Sequence, residues 1–193
     1  PEARLRSYNT GSDVSEMADE AADGLILSNH SYGFDFGWAG GGWTGGDSNV
    51  DLRFGHYNAR SRSIDQIAYN APYYLSVWSS GNQRNDSGDG PQASDGPYNC
   101  IDYSSAAKNN LVVGAITGFN EYTGPESAVM SSFSSWGPTR DGRIRPDVVG
   151  DGVAVFSTGA DAEDAYYSSQ GTSMSAPNVT KTLGMIQQYQ LDV

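Results

Sequence analysis

A serine that follows a glycine near the end of the chain is the clearest candidate for chemistry. The segment reads Gly171-Thr172-Ser173-Met174-Ser175-Ala176-Pro177, and apolar residues at helical spacing follow it. We therefore expect Ser173 at the start of a helix, where unpaired N–H groups and the positive end of the helix dipole lie. A serine placed there can attack a carbonyl while backbone N–H groups stabilise the oxyanion that forms. Spacing alone also fits an ordinary N-cap serine.

The elements that must position this serine alternate between helix and strand. Helical spacing predicts three helices, over 13–23, 63–71 and 174–189. Apolar runs predict strands over 25–32, 73–78 and 111–116. Further short strands are predicted near 129–134 and 153–157. This order implies right-handed crossovers and a parallel sheet, an α/β fold with helices on both faces. Ligands of such sheets bind at the carboxyl ends of the strands. Asn82 and the pair Tyr32-Gly33 fall at two such ends.

Residues 33–62 interrupt the pattern. They are rich in glycine and include Trp38 and Trp43, so we interpret them as a long surface loop inserted into the domain. Ser63 and Gln66 have the spacing of a capping box and predict the start of the second helix. On the last helix, Val179, Leu183 and Ile186 share one face, which we expect to pack inward.

Four segments, in the expected order, resemble those of the subtilisin-like serine proteases. The segment around Ser173 is similar to that family's serine signature, and Ser80-Gly81-Asn82 is similar to its oxyanion asparagine motif. The other two are Leu27-Ser28-Asn29-His30-Ser31-Tyr32-Gly33, which resembles the strand beside the substrate channel, and Phe133-Ser134-Ser135-Trp136-Gly137-Pro138 with Pro146-Asp147-Val148, which resembles the stretch before the serine. The resemblance implies a subtilisin-like parallel-sheet fold.

The resemblance also implies roles for individual residues. Ser173 would be the nucleophile of a serine endopeptidase that forms an acyl-enzyme, and Asn82 would donate to the oxyanion beside the Ser173 N–H. An extended peptide would pair with the channel walls as an added strand. The wall residues are Ser31, Tyr32, Gly33, Ser79, Ser80 and Gly81.

The family's aspartate and histidine motifs have no counterpart in this sequence. Its two histidines, His30 and His56, lack the H-G-T-H context, and we interpret both as surface or loop histidines. Asp86-Ser87-Gly88 mimics the aspartate motif but follows Asn82, whereas the family's aspartate precedes it. We therefore expect residues 1–193 to form a partial peptidase domain that is inactive alone, with the catalytic Asp and His upstream of Pro1.

Other classes of protein remain open or are disfavoured. The chain lacks the G-x-S-x-G elbow of α/β-hydrolases. Sedolisin-type peptidases share the serine segment but have an aspartate where Asn82 stands. The remaining alternatives are a non-catalytic relative of the family and a module that binds a glycan or a peptide, in which the rings of Trp38 and Trp43 could stack on a sugar.

The amino-acid composition limits the classes of molecule that the protein could bind. The net charge is −12, which disfavours nucleic acid and anionic membranes, and no apolar run is long enough to span a bilayer. A single cysteine excludes an internal disulfide framework. The resemblance implies a secreted, monomeric enzyme with polypeptide substrates and no cofactor for its chemistry. Structural calcium is left open for two acidic loops, which contain Asp86, Asp89 and Asp95, and Asp161, Glu163 and Asp164.

Overall fold

The structure is a computed structural model that describes residues 4–34, 38–39, 42–43, 54–85, 100–118 and 121–191. Its three α-helices are α1 (Asp13–Ala22), α2 (Ala59–Asn70) and α3 (Thr172–Leu191). The strands are β1 (Leu27–His30), β2 (Trp38–Ala39), β3 (Gly42–Trp43), β4 (Leu75–Ser79), β5 (Leu111–Ile116), β6 (Val148–Asp151), β7 (Val155–Thr158) and β8 (Tyr166–Ser169). Within the described residues a 3₁₀ turn also spans Pro125–Ser127.

Four strands form the central sheet, in the order β1-β4-β5-β6, and all three pairings are parallel. In register, Val77 of β4 lies opposite Asn29 of β1 and Leu111 of β5. The carboxyl ends of the strands therefore share one edge of the sheet, as the sequence predicted for an α/β fold. The short pairs β2–β3 and β7–β8 are antiparallel.

Helices cover both faces of the sheet, and the alternation of side chains along β4 shows how. Val77 is fully buried with Val113 against Ala176 of α3. Its neighbour Trp78 faces the other way and is fully buried against α1 and α2, where Met17 and Ile64 meet it. Each face of the sheet thus has its own apolar core, and α3 is fixed across β1, β4, β5 and β6.

The predicted start of the second helix was wrong. Helix α2 begins at Ala59, four residues before Ser63, because Asn58 caps it by accepting from the N–H groups of Arg60 and Ser61. Ser63 lies inside the helix and donates to the Ala59 carbonyl. The end of the predicted loop 33–62 is therefore helical. Of its glycine-rich part the structure describes the backbone pairing of Trp38–Ala39 with Gly42–Trp43.

Two strand predictions also differ. Residues 129–134 make one bridge, from Met130 to Ile116, and no named strand. The fourth sheet strand is Val148–Asp151, which the sequence reasoning overlooked because its burial is only partial. Ile186 of α3 is 52% exposed, so the predicted inward face of that helix ends after Val179 and Leu183, which do pack against the core.

Candidate active site

The start of α3 places Ser173 against the carboxyl end of β1. The preceding Gly171 has φ +148°, a conformation that favours glycine and turns the chain sharply into the helix. Ser173 Oγ donates to the carbonyl of Ser31 at 3.2 Å, and Ser31 Oγ donates to the carbonyl of Ser173 at 2.9 Å. Ser173 lies in the first helical turn, where its backbone N–H has no intrahelical acceptor.

Asn82 follows β4 and reaches the same point. Its side-chain carbonyl accepts from the Thr172 N–H at 2.9 Å and from Thr172 Oγ1 at 3.1 Å. These two hydrogen bonds fix the orientation of the Asn82 side-chain amide. Its oxygen faces Thr172, and its nitrogen lies on the opposite side of the amide group. A methyl group added to Gly171 would lie 3.7 Å from that amide nitrogen and 3.6 Å from the backbone nitrogen of Ser173. Both nitrogen atoms therefore lie next to the same point beside Gly171.

Thr172 is a positioning residue that the sequence reasoning did not single out. Its side chain is fully buried, and Oγ1 accepts from the Gly81 N–H at 3.2 Å while donating to Asn82. One hydroxyl thus ties the strand end that carries Asn82 to the helix that carries Ser173. The available signal was its place between Gly171 and Ser173 in the serine segment.

The two predicted channel walls differ in what their backbones offer. On the second wall the N–H of Ser80 donates to Val113, and the Gly81 carbonyl accepts from Ser135. Both groups are thus already hydrogen-bonded within the protein. On the first wall, Tyr32 and Gly33 have no backbone hydrogen-bond partner among the described residues. Pairing with an extended peptide is therefore available along Ser31–Gly33.

The interpretation of His30 as a surface or loop histidine was wrong. His30 is 6% exposed at the end of β1, stacked on the Trp78 ring with centroids 4.2 Å apart. Its Nε2 lies 2.6 Å from Ser28 Oγ, and its Nδ1 lies 2.8 Å from the Tyr32 hydroxyl. Burial lowers the pKa of His30 to about 4, so the ring is neutral at pH 7.

The His30 contacts belong to a chain of polar groups that holds Tyr32. The Tyr32 hydroxyl donates to Asp13 at 3.0 Å, and Asp13 forms a salt bridge with Arg60. Burial raises the pKa of Tyr32, and the Asp13 carboxylate adds to that effect. Ser28, His30, Tyr32 and Asp13 also line a cavity of about 670 Å³ between residues 4–10 and β1. The contacts of the Tyr32 hydroxyl with His30 and Asp13 thus hold the first wall in place.

Neither histidine contacts Ser173. Both ring nitrogens of His30 contact other side chains, those of Ser28 and Tyr32. His56 is exposed, with its ring 6.4 Å from that of Tyr103. The described partner of Ser173 Oγ is a backbone carbonyl, which cannot accept its proton during an attack. Asp86-Ser87-Gly88 lies outside the described residues.

Asp102 joins the two walls at their base. Its Oδ1 accepts from the Ser105 N–H at 2.9 Å, and Ser105 Oγ donates to the Ser79 carbonyl at 3.2 Å. Its Oδ2 accepts from the Phe34 N–H at 3.3 Å. Burial raises the pKa of the Asp102 carboxyl, against the lowering effect of these N–H donors. Sequence reasoning missed this residue because it belongs to no motif.

Two further observations concern metals and membranes. Within the part of the chain that the structure describes, no three His, Cys, Asp or Glu side chains converge on one point. Asp161, Glu163 and Asp164 are exposed there, while Asp86, Asp89 and Asp95 lie outside it. None of the described helices is both long and apolar enough to cross a bilayer.

A parallel sheet with a serine at a helix start and an asparagine amide beside it defines a hydrolase-like site, and comparison with known proteins gives its family. The chain belongs to the subtilase family, peptidase S8, whose profile matches residues 3–192. It is 44% identical over 63 residues to C5a peptidase of Streptococcus pyogenes serotype M18, a match that covers 32% of this chain and 5% of that protein.

Solved structures show the same fold at low sequence identity. The prenylagaramide maturation protease PagA superposes with a TM-score of 0.59 at 16% identity, over 98% of this chain and 53% of that one. Sphericase gives 0.57 at 18% identity, over 89% of this chain and 46% of that one. The chain thus spans about half the length of these solved proteins, and a much smaller share of the curated relative.

Proposed function

We propose that the protein is a serine endopeptidase that cleaves polypeptides through an acyl-enzyme on Ser173. The observation that carries the proposal is that two N–H donors without a partner among the described residues lie beside Gly171: Asn82 Nδ2 is 3.7 Å and the Ser173 backbone nitrogen 3.6 Å from the point where a Cβ of residue 171 would stand. Donors that are fixed before the reaction stabilise the negative charge of the tetrahedral intermediate without reorganising. Family membership supports the same reaction class.

The steps follow from where the groups lie. A substrate in extended conformation pairs with Ser31–Gly33, which brings its carbonyl carbon to Ser173 Oγ. The hydroxyl oxygen forms a bond to that carbon while its proton passes to a base. The carbonyl oxygen, now negative, accepts from Asn82 Nδ2 and the Ser173 N–H. The amine then leaves with the proton, and water hydrolyses the ester that remains on Ser173.

On this proposal the base comes from outside these 193 residues, because His30 contacts Ser28 and Tyr32 and the described contact of His56 is with the Tyr103 ring. The family resemblance implies a histidine and an aspartate from a preceding part of the protein, and an extracellular site of action. On this proposal the 193-residue chain alone does not hydrolyse peptides, since the Ser173 hydroxyl almost never ionises at neutral pH.

The test is hydrolysis of casein by the full-length protein and by two serine variants. Ser173→Ala should lower the rate by about 10⁴-fold or more, because it removes the nucleophile of a group that acts as a unit. Ser28→Ala removes the serine that lies beside His30 and should retain activity within about threefold. The chain of residues 1–193, expressed alone, should be inert.

Two results would reject the proposal. Casein hydrolysis that survives Ser173→Ala would show a different nucleophile. A full-length protein with no hydrolysis on a broad peptide library would indicate a non-catalytic member of the family.

A further inference from the structure

We infer that Arg60 is a positioning residue that holds the two walls of the substrate channel in place. The inference rests on the proposed function, because it concerns how an extended substrate is bound. Arg60 lies in the first turn of α2 and belongs to none of the segments that resemble the family's motifs. Three features of the described residues carry the inference: its link to the first wall, its link to the second wall, and the geometry of its guanidinium group.

The link to the first wall runs through a carboxylate. The Arg60 guanidinium donates to both oxygens of Asp13, from Nη1 at 3.1 Å and from Nη2. The same carboxylate accepts from the Tyr32 hydroxyl at 3.0 Å. Tyr32 directly follows Ser31, which exchanges two hydrogen bonds with Ser173. The ion pair therefore holds the wall one residue away from the direct partner of the proposed nucleophile.

The link to the second wall begins at the same side chain. Arg60 Nε donates to Ser104 Oγ at 2.9 Å, and Ser104 is fully buried. The next residue, Ser105, donates from its Oγ to the carbonyl of Ser79, where the second wall begins. The guanidinium carbon also lies 5.5 Å from the centroid of the Trp78 ring, in the strand that leads into that wall. One side chain thus contacts groups that support each wall.

The guanidinium geometry makes arginine the residue type that can form these links together. Its planar fork presents Nη1 and Nη2 to one carboxylate and leaves Nε for a further acceptor, whereas a lysine ammonium is a single point of charge on a flexible stem. The Arg60 side chain is 19% exposed, so its contacts are largely shielded from water. Its guanidinium carbon lies 5.3 Å from the centroid of the Phe34 ring, directly after the first wall. Arg60 therefore supports that wall through Asp13 and again beyond its end.

Walls that are fixed before the substrate arrives favour binding, because no chain has to be ordered when the peptide pairs with them. Loosening the walls should therefore weaken the binding of extended peptides. The chemistry at Ser173 depends on other contacts, since Thr172 ties the Asn82 amide to the start of α3. A rise in KM for extended peptides, without a loss of chemistry at the serine, is thus the result that distinguishes positioning by Arg60.

The test compares Arg60→Lys with the unchanged full-length protein on two substrates. A casein-derived octapeptide spans the first wall, whereas p-nitrophenyl acetate reaches the serine without pairing with the wall. We expect KM for the octapeptide to rise about 10-fold, the value of one hydrogen bond to a charged group. Its kcat and the rate of ester hydrolysis should stay within about threefold. Arg62→Lys is the matched control, since Arg62 is exposed on the same helix and its substitution should leave both substrates unaffected.

A second variant tests the route through the carboxylate. Tyr32→Phe removes the hydroxyl that meets Asp13 and leaves the ion pair intact, so it also tests the link if Arg60→Lys does not fold. It should raise KM for the octapeptide about 3–10-fold. Added to Arg60→Lys it should raise KM by less than about twofold more, because the carboxylate that it meets is then no longer held. Fully additive effects, or equal losses on both substrates in Arg60→Lys, would overturn the inference.

A binding measurement separates this inference from the proposed function. The Ser173→Ala protein is titrated with the octapeptide by calorimetry, with and without Arg60→Lys. The Kd should be about 10-fold higher with Arg60→Lys, while the melting temperature stays within a few degrees. An unchanged Kd would overturn the inference. Survival of cleavage in Ser173→Ala would reject the proposed nucleophile, and the two Kd values would still decide whether Arg60 positions the walls.

Discussion

Two serines in this structure each have part of what a nucleophile needs. Ser28 has an imidazole, with His30 Nε2 2.6 Å from its Oγ. Ser173 has no imidazole, but it stands at a helix start beside the Asn82 amide. Ser28 lies within strand β1, where backbone N–H groups serve the sheet and none converges on its side chain. Ser173 lies where the backbone leaves donors unused.

The difference shows that a serine next to a histidine is not sufficient evidence for catalysis. The Ser28 hydroxyl is also 2.6 Å from the Tyr74 hydroxyl, and the far side of the His30 ring contacts Tyr32, so the group is a closed structural network. Its pKa of about 4 makes His30 a weak base. At Ser173, by contrast, the scaffold fixes the electrostatic part of a site, the part that commonly contributes most to the rate.

The largest effect that sharpens this contrast should come from Asn82. Asn82→Ala removes one of the two oxyanion donors, so kcat of the full-length protein should fall about 10²–10³-fold with little change in KM. Asn178→Ala is the matched control, because Asn178 is exposed on α3 and the one described contact of its side chain is a 3.4 Å hydrogen bond to the Asp151 carbonyl. An unchanged kcat in Asn82→Ala would mean that the donors beside Gly171 do not meet the reacting carbonyl.

A smaller effect should come from the buried network around His30. Its pKa lies near 6.5 in the unfolded chain and at about 4 in the folded one, so only the unfolded state binds the proton between these values. The contribution of neutral His30 to the free energy of unfolding is therefore fully present above about pH 6.5. It should be lost as the pH drops toward 4, which lowers the free energy of unfolding by about 3 kcal/mol in total. Urea midpoints measured at several pH values check this.

The matched variant for this prediction is His30→Asn, which keeps a polar group near Tyr32 without a titrating ring. Its free energy of unfolding should lose the decline between pH 6.5 and 4, whatever its overall stability. Asp13, whose pKa is lowered mainly by its contacts with Arg60, adds its own loss only as the pH falls below about 4. A decline that persists in His30→Asn would assign the pH dependence to other groups.

The sequence predicted the parts of the fold that local patterns determine. Apolar runs located β4 and β5, and glycine-bounded helical spacing located α1 and α3. The start of α2 was misplaced because Ser63 and Asn58 both offer capping chemistry, and tertiary contacts decide between them. Strand β6 was missed because it is an edge strand of the described sheet, half-exposed and without an apolar run of its own.

The candidate site divides in the same way. Motif resemblance led to Ser173, Asn82 and Ser31–Gly33, all of which the structure brings to one edge of the sheet. Thr172 contacts Asn82, about 90 positions away in the sequence. Asp102 contacts Phe34, about 70 positions away. No local pattern contains such contacts. His30 was misjudged because burial against Trp78 depends on packing between β1 and β4.

The most direct test of the central claim is to find which serine a serine-directed phosphonate modifies in the full-length protein. Such a probe needs an activated hydroxyl and a site that stabilises negative charge on its phosphoryl oxygen. The account predicts that mass spectrometry finds the adduct on the peptide that contains Ser173, with none on the peptide that contains Ser28. An adduct on Ser28 would contradict the account, because it would place the reactive serine beside His30 and away from the donors at Gly171.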